Sequence, residues 1–335
     1  MNSIRHSIRQ RSGALLAPLF SIGLCIGVFG GACGPDEASR AQQLPNQQEL
    51  DDPAKHIVGG DGSTMLTINR PTIVRSWGSG DKDVWAVGPS AMIIHWDGKS
   101  WQRLPAATGG GLLSVWGTSA SDAWAVGEGG VVVHWNGSNW SRVTTPAPAS
   151  AALNDIWGSS SSDIWAVGDS GVIIHYNGST WSSVQVPAIN NFLTVWTSSS
   201  TDVWVGADLG LLLHWDGSTW SDVPMGNAIP IMCIRGVSAS KIYATNYNSE
   251  LWTWDGTSWT GPASSVDGLY LWVNSDSDIW SYTTGHSNHW NGTTWKYTSF
   301  GYSLGAIWGS GGTNAWAFAG PEIYHWNGTV WNNHW

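Results

Sequence analysis

Hydrophobic and polar positions along this chain alternate in short bursts, and the whole pattern recurs about every 40 residues from Trp77 to Trp335. Each unit runs Val-Trp-Gly-Ser, a polar turn ending in Ser-Asp, the apolar stretch Trp-Ala-Val-Gly, a Gly-rich turn, an apolar run into His-Trp, an Asp/Asn-Gly pair and a closing Trp. Residues 114–143 (SVWGTSASDAWAVGEGGVVVHWNGSNWSRV) and 155–184 (DIWGSSSSDIWAVGDSGVIIHYNGSTWSSV) are the clearest copies. The apolar runs are too short for helices and are bounded by Gly, Asn, Asp and Ser, which marks them as strands. A unit of this length holding four short strands is a β-propeller blade. The repeat therefore predicts an all-β fold over residues 71–335: a seven-bladed β-propeller with four antiparallel strands per blade.

The register holds column by column. The Gly of the Asp/Asn-Gly pair falls at Gly98, Gly137, Gly178, Gly217, Gly256, Gly292 and Gly328, with spacings of 39, 41, 39, 39, 36 and 36, so length varies only in loops. The closing column is Trp101, Trp140, Trp181, Trp220, Trp259, Trp295 and Trp331. The first column reads Trp77, Trp116, Trp157, Trp196, Arg235, Trp272 and Trp308. The second reads Trp85, Trp124, Trp165, Trp204, Tyr243, Trp280 and Trp316. The third reads Trp96, Trp135, Tyr176, Trp215, Trp254, Trp290 and Trp326. These columns hold 25 of the 27 Trp, leaving Trp252 and Trp335 outside, so the Trp richness is a property of the repeat.

Local chemistry accounts for the turns. In residues 94–101 (IHWDGKSW) the Asp-Gly pair suits a two-residue type I′ hairpin, which requires positive φ at both central positions. That register sets Trp96 opposite Lys99 and Ile94 opposite Trp101, with Trp96 and Trp101 on one blade face and His95 and Ser100 on the other. The column Asp83, Asp122, Asp163, Asp202 and Asp278, with Asn314 in the seventh copy, fits turn chemistry in which an Asx side chain bonds the backbone two residues on. Apolar runs such as 131–133 and 211–213 suit inner strands covered on both faces.

The segment before the repeats changes the picture from fold to location. Arg5, Arg9 and Arg11 form a positive n-region and residues 14–29 an apolar stretch too short and Gly-rich for a membrane span. Gly31-Ala32-Cys33 then resembles the end of a bacterial lipobox, which implies a diacylglyceryl anchor on Cys33 and cleavage before it; Cys25, preceded by Leu24, fits less well. Residues 1–33 are expected to be a lipoprotein signal peptide and 34–70 a disordered, Gln-rich tether. Thr64-Met65-Leu66-Thr67-Ile68 could add a strand to the last blade. Gly34 after the Cys favours the outer membrane; without lipidation the product would be periplasmic or secreted.

Cys233 is then left without an intrachain partner, and in the apolar run 231–234 it reads as a buried hydrophobic thiol. From Gly34 onward 11 Lys+Arg face 24 Asp+Glu, a net charge of −13. This excludes nucleic acid, whose phosphates need Lys and Arg, and adsorption to anionic lipid. A polysaccharide or protein at the cell envelope remains as partner, and a monomer is expected.

At the repeat residues a family resemblance becomes visible. Trp-Ala-Val-Gly, a Gly-containing turn, an apolar strand, Asp-Gly and Trp resemble the blades of photosystem II assembly-factor propellers and of sialidase-type BNR/Asp-box repeats, and more distantly kelch hairpins. The Asp-box spaces its Asp and Trp by five residues, whereas Asp97–Trp101, Asp216–Trp220 and Asp255–Trp259 are spaced by four. The resemblance implies the fold and says little of activity, since one fold hosts many functions.

Candidate chemistry is sparse. The His column (His95, His134, His175, His214, His289, His325) offers one His per blade, on separate sheets about 10 Å apart. Metal ligands must converge at about 2 Å, so packing or hairpin hydrogen bonding is expected in place of metal binding, and no cofactor is implied. A sialidase would need an Arg cluster, and the repeats contain only Arg75, Arg103, Arg142 and Arg235. Glu128, Asp169 and Asp208 follow the Trp-Ala-Val-Gly strand in consecutive blades, on the face where propellers commonly bind ligands. A carbohydrate-active hydrolase or lyase could be built only on those carboxylates. Blade five departs most: Arg235, Lys241, Tyr243 and Thr253 replace Trp, Asp, Trp and His, and Asn246-Tyr247-Asn248 replaces the Gly-rich turn. Blade six adds Tyr270, Tyr282 and His286. Aromatic and amide groups there suit stacking on sugars and bonding to hydroxyls. The expectation is a non-catalytic binding or scaffolding module, with Arg235, Tyr247, Tyr270, Tyr282, His286, Glu128, Asp169 and Asp208 as candidate contacts.

Overall fold

The computed structural model describes residues 72–334 apart from 107, 187, 264 and 265. Cys33, the tether and the strand expected at 64–68 lie outside the described residues. Seven separate antiparallel sheets, each of four consecutive strands, span residues 75–103, 112–142, 153–183, 192–222, 231–263, 270–299 and 304–333. The second sheet sets the pattern, with strands Leu112–Ser119, Asp122–Gly127, Val131–Trp135 and Trp140–Arg142. The first strand of every blade touches the first strands of its neighbours, and Leu304–Gly311 of blade seven touches Arg75–Gly80 of blade one. The first strand is thus the axial one, and the ring closes by packing of its two end blades.

Three Trp columns weld the blades together. The second-column Trp of one blade is held between the third and closing columns of the next: Trp85 lies 5.0 Å from Trp135 and 5.2 Å from Trp140, and Trp204 lies 5.0 and 5.4 Å from Trp254 and Trp259. Trp316 repeats this across the seam, 4.9 Å from Trp96 and 5.2 Å from Trp101. Each such aromatic pair adds about 0.5–1.5 kcal/mol beyond the area it buries. At the same seam a Cβ on Gly305 would stand 1.8 Å from the Ile73 carbonyl oxygen, so only glycine allows the backbones to meet.

The first column uses a different device. In five blades a Gly follows the first-column residue, and at four of these it is a flat slot for the preceding blade's Trp. A Cβ at Gly117 would lie 2.8 Å from Trp77, at Gly158 2.5 Å from Trp116, at Gly236 2.7 Å from Trp196, and at Gly78 2.8 Å from Trp308. Trp272 reaches the Gly309 carbonyl with its Nε1–H at 2.8 Å. The Val-Trp-Gly motif is therefore a rule between neighbouring blades.

Two expectations need correction. Trp96 pairs directly with Trp101, and His95 with Gln102, around a four-residue loop closed by the Asp97 N–H on the Ser100 carbonyl. Asp97 Oδ1 accepts the N–H groups of Lys99 and Ser100 at 2.8 and 2.9 Å, and only Gly98 of the pair takes positive φ (86°). The Asx side chain stabilises this wider loop over the type I′ turn; Trp96 and Trp101 still share a face, with ring centroids 5.8 Å apart. Residues 131–133 and 212–213 are covered on both faces as expected, but by neighbouring sheets on third strands and not on the axial ones, and Leu211 precedes its strand, half-buried.

Candidate functional site

The His and Asp columns, twelve residues apart in the first four blades, are one device. His95, His134, His175, His214 and His289 donate Nε2–H to Asp83, Asp122, Asp163, Asp202 and Asp278 at 2.6–2.8 Å. Each imidazole stacks on the second-column Trp of its own blade, 3.8–4.1 Å between centroids. The other carboxylate oxygen accepts the hydroxyl of Ser79, Thr118, Ser159 or Ser198, or the Asn274 amide, from the end of the axial strand. The bond expected from these Asp side chains to the backbone two residues on is replaced by this side-chain triad. Burial pushes the carboxyls of Asp83, Asp163 and Asp202 up, but the His and Ser hydrogen bonds more than offset it and hold them below the ordinary range. Among the described residues no cluster of His, Cys, Asp or Glu is arranged to hold a metal ion.

Blade five loses the device as a unit. Val237, Lys241 and Thr253 occupy the hydroxyl, Asp and His positions, and Tyr243 the Trp position. The Tyr243 hydroxyl is instead bonded to Asp276 from the turn of blade six, and burial followed by that carboxylate raises its pKa. Blade seven shows the same logic: Asn314 replaces Asp, accepts from His325 at 2.6 Å, and donates Nδ2–H at 3.0 Å to Asp81 from the turn of blade one.

At the axis one register position per blade, two residues before the first column, carries Arg75, Ser114, Asp155, Thr194, Cys233, Tyr270 and Ala306. Asp155, 1 % exposed, is the hub. It accepts the Ser114 and Thr194 hydroxyls at 2.7 and 3.1 Å, the Val195 N–H at 3.1 Å, and Arg235 Nη1 at 3.3 Å. Arg235 also donates to the Ile234 carbonyl at 2.7 Å, and its guanidinium lies 4.4 Å over the Trp157 ring. Arg75 reaches the Val74 carbonyl at 3.0 Å and lies 4.2 Å over Tyr270, which stands 5.6 Å from Tyr282. Burial alone would raise the Asp155 pKa; Arg235 and Arg75 hold it low. Cys233 is buried, with its thiol on the Leu271 backbone.

The candidate residues thus divide by location. Arg235 and Tyr282 are buried in the axial cluster and Tyr270 half-buried beside them. His286 bonds the Asp267 carbonyl and stands 5.1 Å from Tyr297. Glu128, Asp169 and Asp208 lie on the face formed by the turns between second and third strands and the blade-to-blade connections. Each tethers its neighbouring connection: Glu128 accepts the Gly111 N–H, Asp169 the Ala152 N–H, Asp208 the amides of Asn190 and Asn191, and Asp169 also accepts the Asn154 amide from the first strand of its own blade. Tyr247, 62 % exposed, shares this face. Two residues that sequence reasoning passed over belong with it: Ile189, 89 % exposed, and Leu209, 70 % exposed. Gly171 N–H bonds the Asn190 carbonyl and Asn190 bonds Asp208, which sets Ile189 between the turns of blades three and four. The connection at 223–230 abuts Gly210 on one side and bonds the Tyr247 N–H on the other, so Ile189, Leu209 and Tyr247 follow one another around the rim. Leu209 holds φ at +55°, a left-handed conformation unfavourable for leucine.

No family model matches the chain, and no curated protein matches it. Solved propellers do. YCF48 bound to a D1 peptide aligns over 76 % of this chain and 92 % of its own, at 15 % identity and a TM-score of 0.61. YCF48 from Cyanidioschyzon merolae aligns over 76 % and 94 %, at 16 % identity and 0.58. The WD40 propeller domain of Doa1 aligns over 75 % and 90 %, at 9 % identity and 0.62. At these identities the likeness is one of fold.

Proposed function

We propose that this protein is a non-catalytic binding propeller, exported and lipid-anchored through Cys33, whose loop face holds an apolar segment of a protein partner. The observation that carries the reading is the exposed run Ile189, Leu209 and Tyr247 along the rim of blades three to five, with Leu209 kept in a conformation that glycine would adopt at lower cost. The same position holds Gly129 in blade two and Ser170 in blade three. The carboxylates of that face are engaged in holding the connections, as a scaffold needs. The propeller of similar fold bound to a D1 peptide supports a peptide-like partner. Net negative charge favours basic residues flanking the apolar segment.

Cross-linking in the intact envelope tests this. A partner captured by the native protein and lost from Leu209→Gly/Tyr247→Asn, at equal abundance, supports the reading. A partner set unchanged by the double variant overturns it. Export and anchoring are tested separately by Cys33→Ser, which should release the protein from the membrane fraction.

A further inference from the structure

The outer edge between blades six and seven carries a cleft of ≈340 Å³ lined by Lys296, Thr298, Phe300, Tyr324, Thr329 and Trp331, with Ser299, Trp326 and Val330 completing it. Phe300 is buried and forms the floor: Tyr324 meets it at 5.2 Å and Trp331 at 5.3 Å, both edge-on. The half-buried rings of Tyr324 and Trp331 form the walls.

The other six blades serve as an internal control. Where Tyr324 stands they carry Ile94, Val133, Ile174, Leu213, Trp252 and Asn288. Where Val330 stands, 51 % exposed, they carry Ser100, Asn139, Thr180, Thr219, Ser258 and Thr294. The Lys296 position holds Gln102, Ser141, Ser182, Ser221, Thr260 and Asn332. Three departures from the repeat, on two blades, therefore converge on one cleft, while the framework Trp326 and Trp331 are unchanged.

Its chemistry is specific. Lys296 is the only charged side chain lining the cleft, in a chain with 24 acidic and 14 basic residues. Its ammonium lies 5.0 Å over the Trp326 ring and donates to the Thr329 carbonyl at 3.4 Å, which fixes it at the rim. The nearby Glu322 carboxylate accepts the Asn333 amide at 2.7 Å. Aromatic walls fit the C–H faces of a pyranose ring, the hydroxyls of Thr298, Ser299 and Thr329 fit its hydroxyls, and the ammonium fits a carboxylate. We infer that this cleft is a binding site for an acidic sugar of the uronate class, separate from the loop face proposed for a protein partner.

Titration calorimetry of the purified propeller-containing chain with tetragalacturonate, and in parallel with the neutral maltotetraose, tests the inference. Saturable binding of the uronate is expected, weakened about tenfold by Lys296→Gln and by raised salt, and lost in Tyr324→Val. Maltotetraose should bind at least about tenfold more weakly. The replacements are residues that blades one and two already carry, Gln102 and Val133, and Lys99→Gln on a distant hairpin is the control. Were Tyr324→Val to unfold, the exposed Lys296→Gln decides alone. Absence of uronate binding, equal binding of the neutral sugar, or indifference to Lys296→Gln would each overturn the site.

Discussion

The Arg235 guanidinium lies over the Trp157 ring, 4.4 Å from its centroid. These two first-column residues are the ones whose glycine slot in the following blade is filled, by Thr197 after Trp157 and by Val273 after Arg235. The five other pairs keep a glycine there: Gly117, Gly158, Gly236, Gly309 and Gly78. With those slots filled, the two side chains meet each other beside Asp155, and Trp272 joins them with its ring 6.4 Å from that of Trp157.

Restoring the repeat residue at one of these positions should therefore harm the fold. Arg235→Trp has no slot to enter, because Val273 occupies it, and it deprives a buried carboxylate of its main partner. Loss of one member of a buried pair costs about 3–5 kcal/mol, and the lower end is expected because Arg75 also acts on Asp155. Adding Val273→Gly and Asp155→Ser should recover most of that loss in denaturant melts, which an account based on Trp crowding alone does not predict.

Acid should unfold the ring through its carboxylates. Asp83, Asp155, Asp163 and Asp202 all titrate below their ordinary value of 3.8, so each contributes in full above that pH and its contribution is lost as pH falls through the lower folded value. Burial and then His334 hold His325 below 6.5, so its contribution begins to fall earlier, below pH 6.5. Melting temperature against pH should show a shallow decline below 6.5 and a steep one below 3.8. Asp163→Asn, copying the Asn314 of blade seven, should flatten the steep limb; a limb unchanged in slope would show that the triads do not govern acid stability.

Asn314 is the residue to convert next. Asp at this position would match five other blades, yet Asp81 of blade one already accepts the Asn314 amide and the Ser310 hydroxyl. Asn314→Asp should set two carboxylates together and cost about 1 kcal/mol at neutral pH. Asp81→Ser should reverse the loss, since blades three and four carry Ser161 and Ser200 there. Thermal melts of the two single variants and the double close the cycle.

These relationships explain what could be read from the chain. Fold, blade count and strand number were legible because every copy repeats its Asp/Asn-Gly pair and closing Trp, and most copies the other Trp columns, at fixed offsets. The His–Asp triad was legible in principle: blade five loses Ser, Asp and His together, as Val237, Lys241 and Thr253, and that joint loss couples the three columns at the level of sequence. Arg235 as a surface contact was a natural reading of an isolated Trp-to-Arg change, but its surroundings are supplied by Asp155 and Trp157 two blades earlier. Column-wise reading sees departures within a blade, whereas slots, axial contacts and the Asp81 and Asp276 bridges run between blades. The exposed Leu209 was hidden for another reason: in a Gly-rich turn it reads as a tolerated residue, and its left-handed backbone has no sequence signature.

That backbone makes the last prediction. Leu209 holds φ at +55° with its side chain 70 % exposed, so it has a conformational cost and little burial to offset it. Glycine takes the left-handed conformation without that cost, as Gly129 does at φ 68° in blade two. Leu209→Gly should therefore stabilise the native state, by about 1 kcal/mol less the extra freedom that glycine gives the unfolded chain. Leu209→Ala should gain nothing, because alanine retains the Cβ that makes this region unfavourable. A melting temperature that rises for glycine, stays level for alanine, and accompanies loss of partner capture in both would identify a residue kept at the expense of stability for what it touches. Equal stability of all three would mean that the turn carries no strain at Leu209, and the proposed protein-binding rim would lose its main structural support.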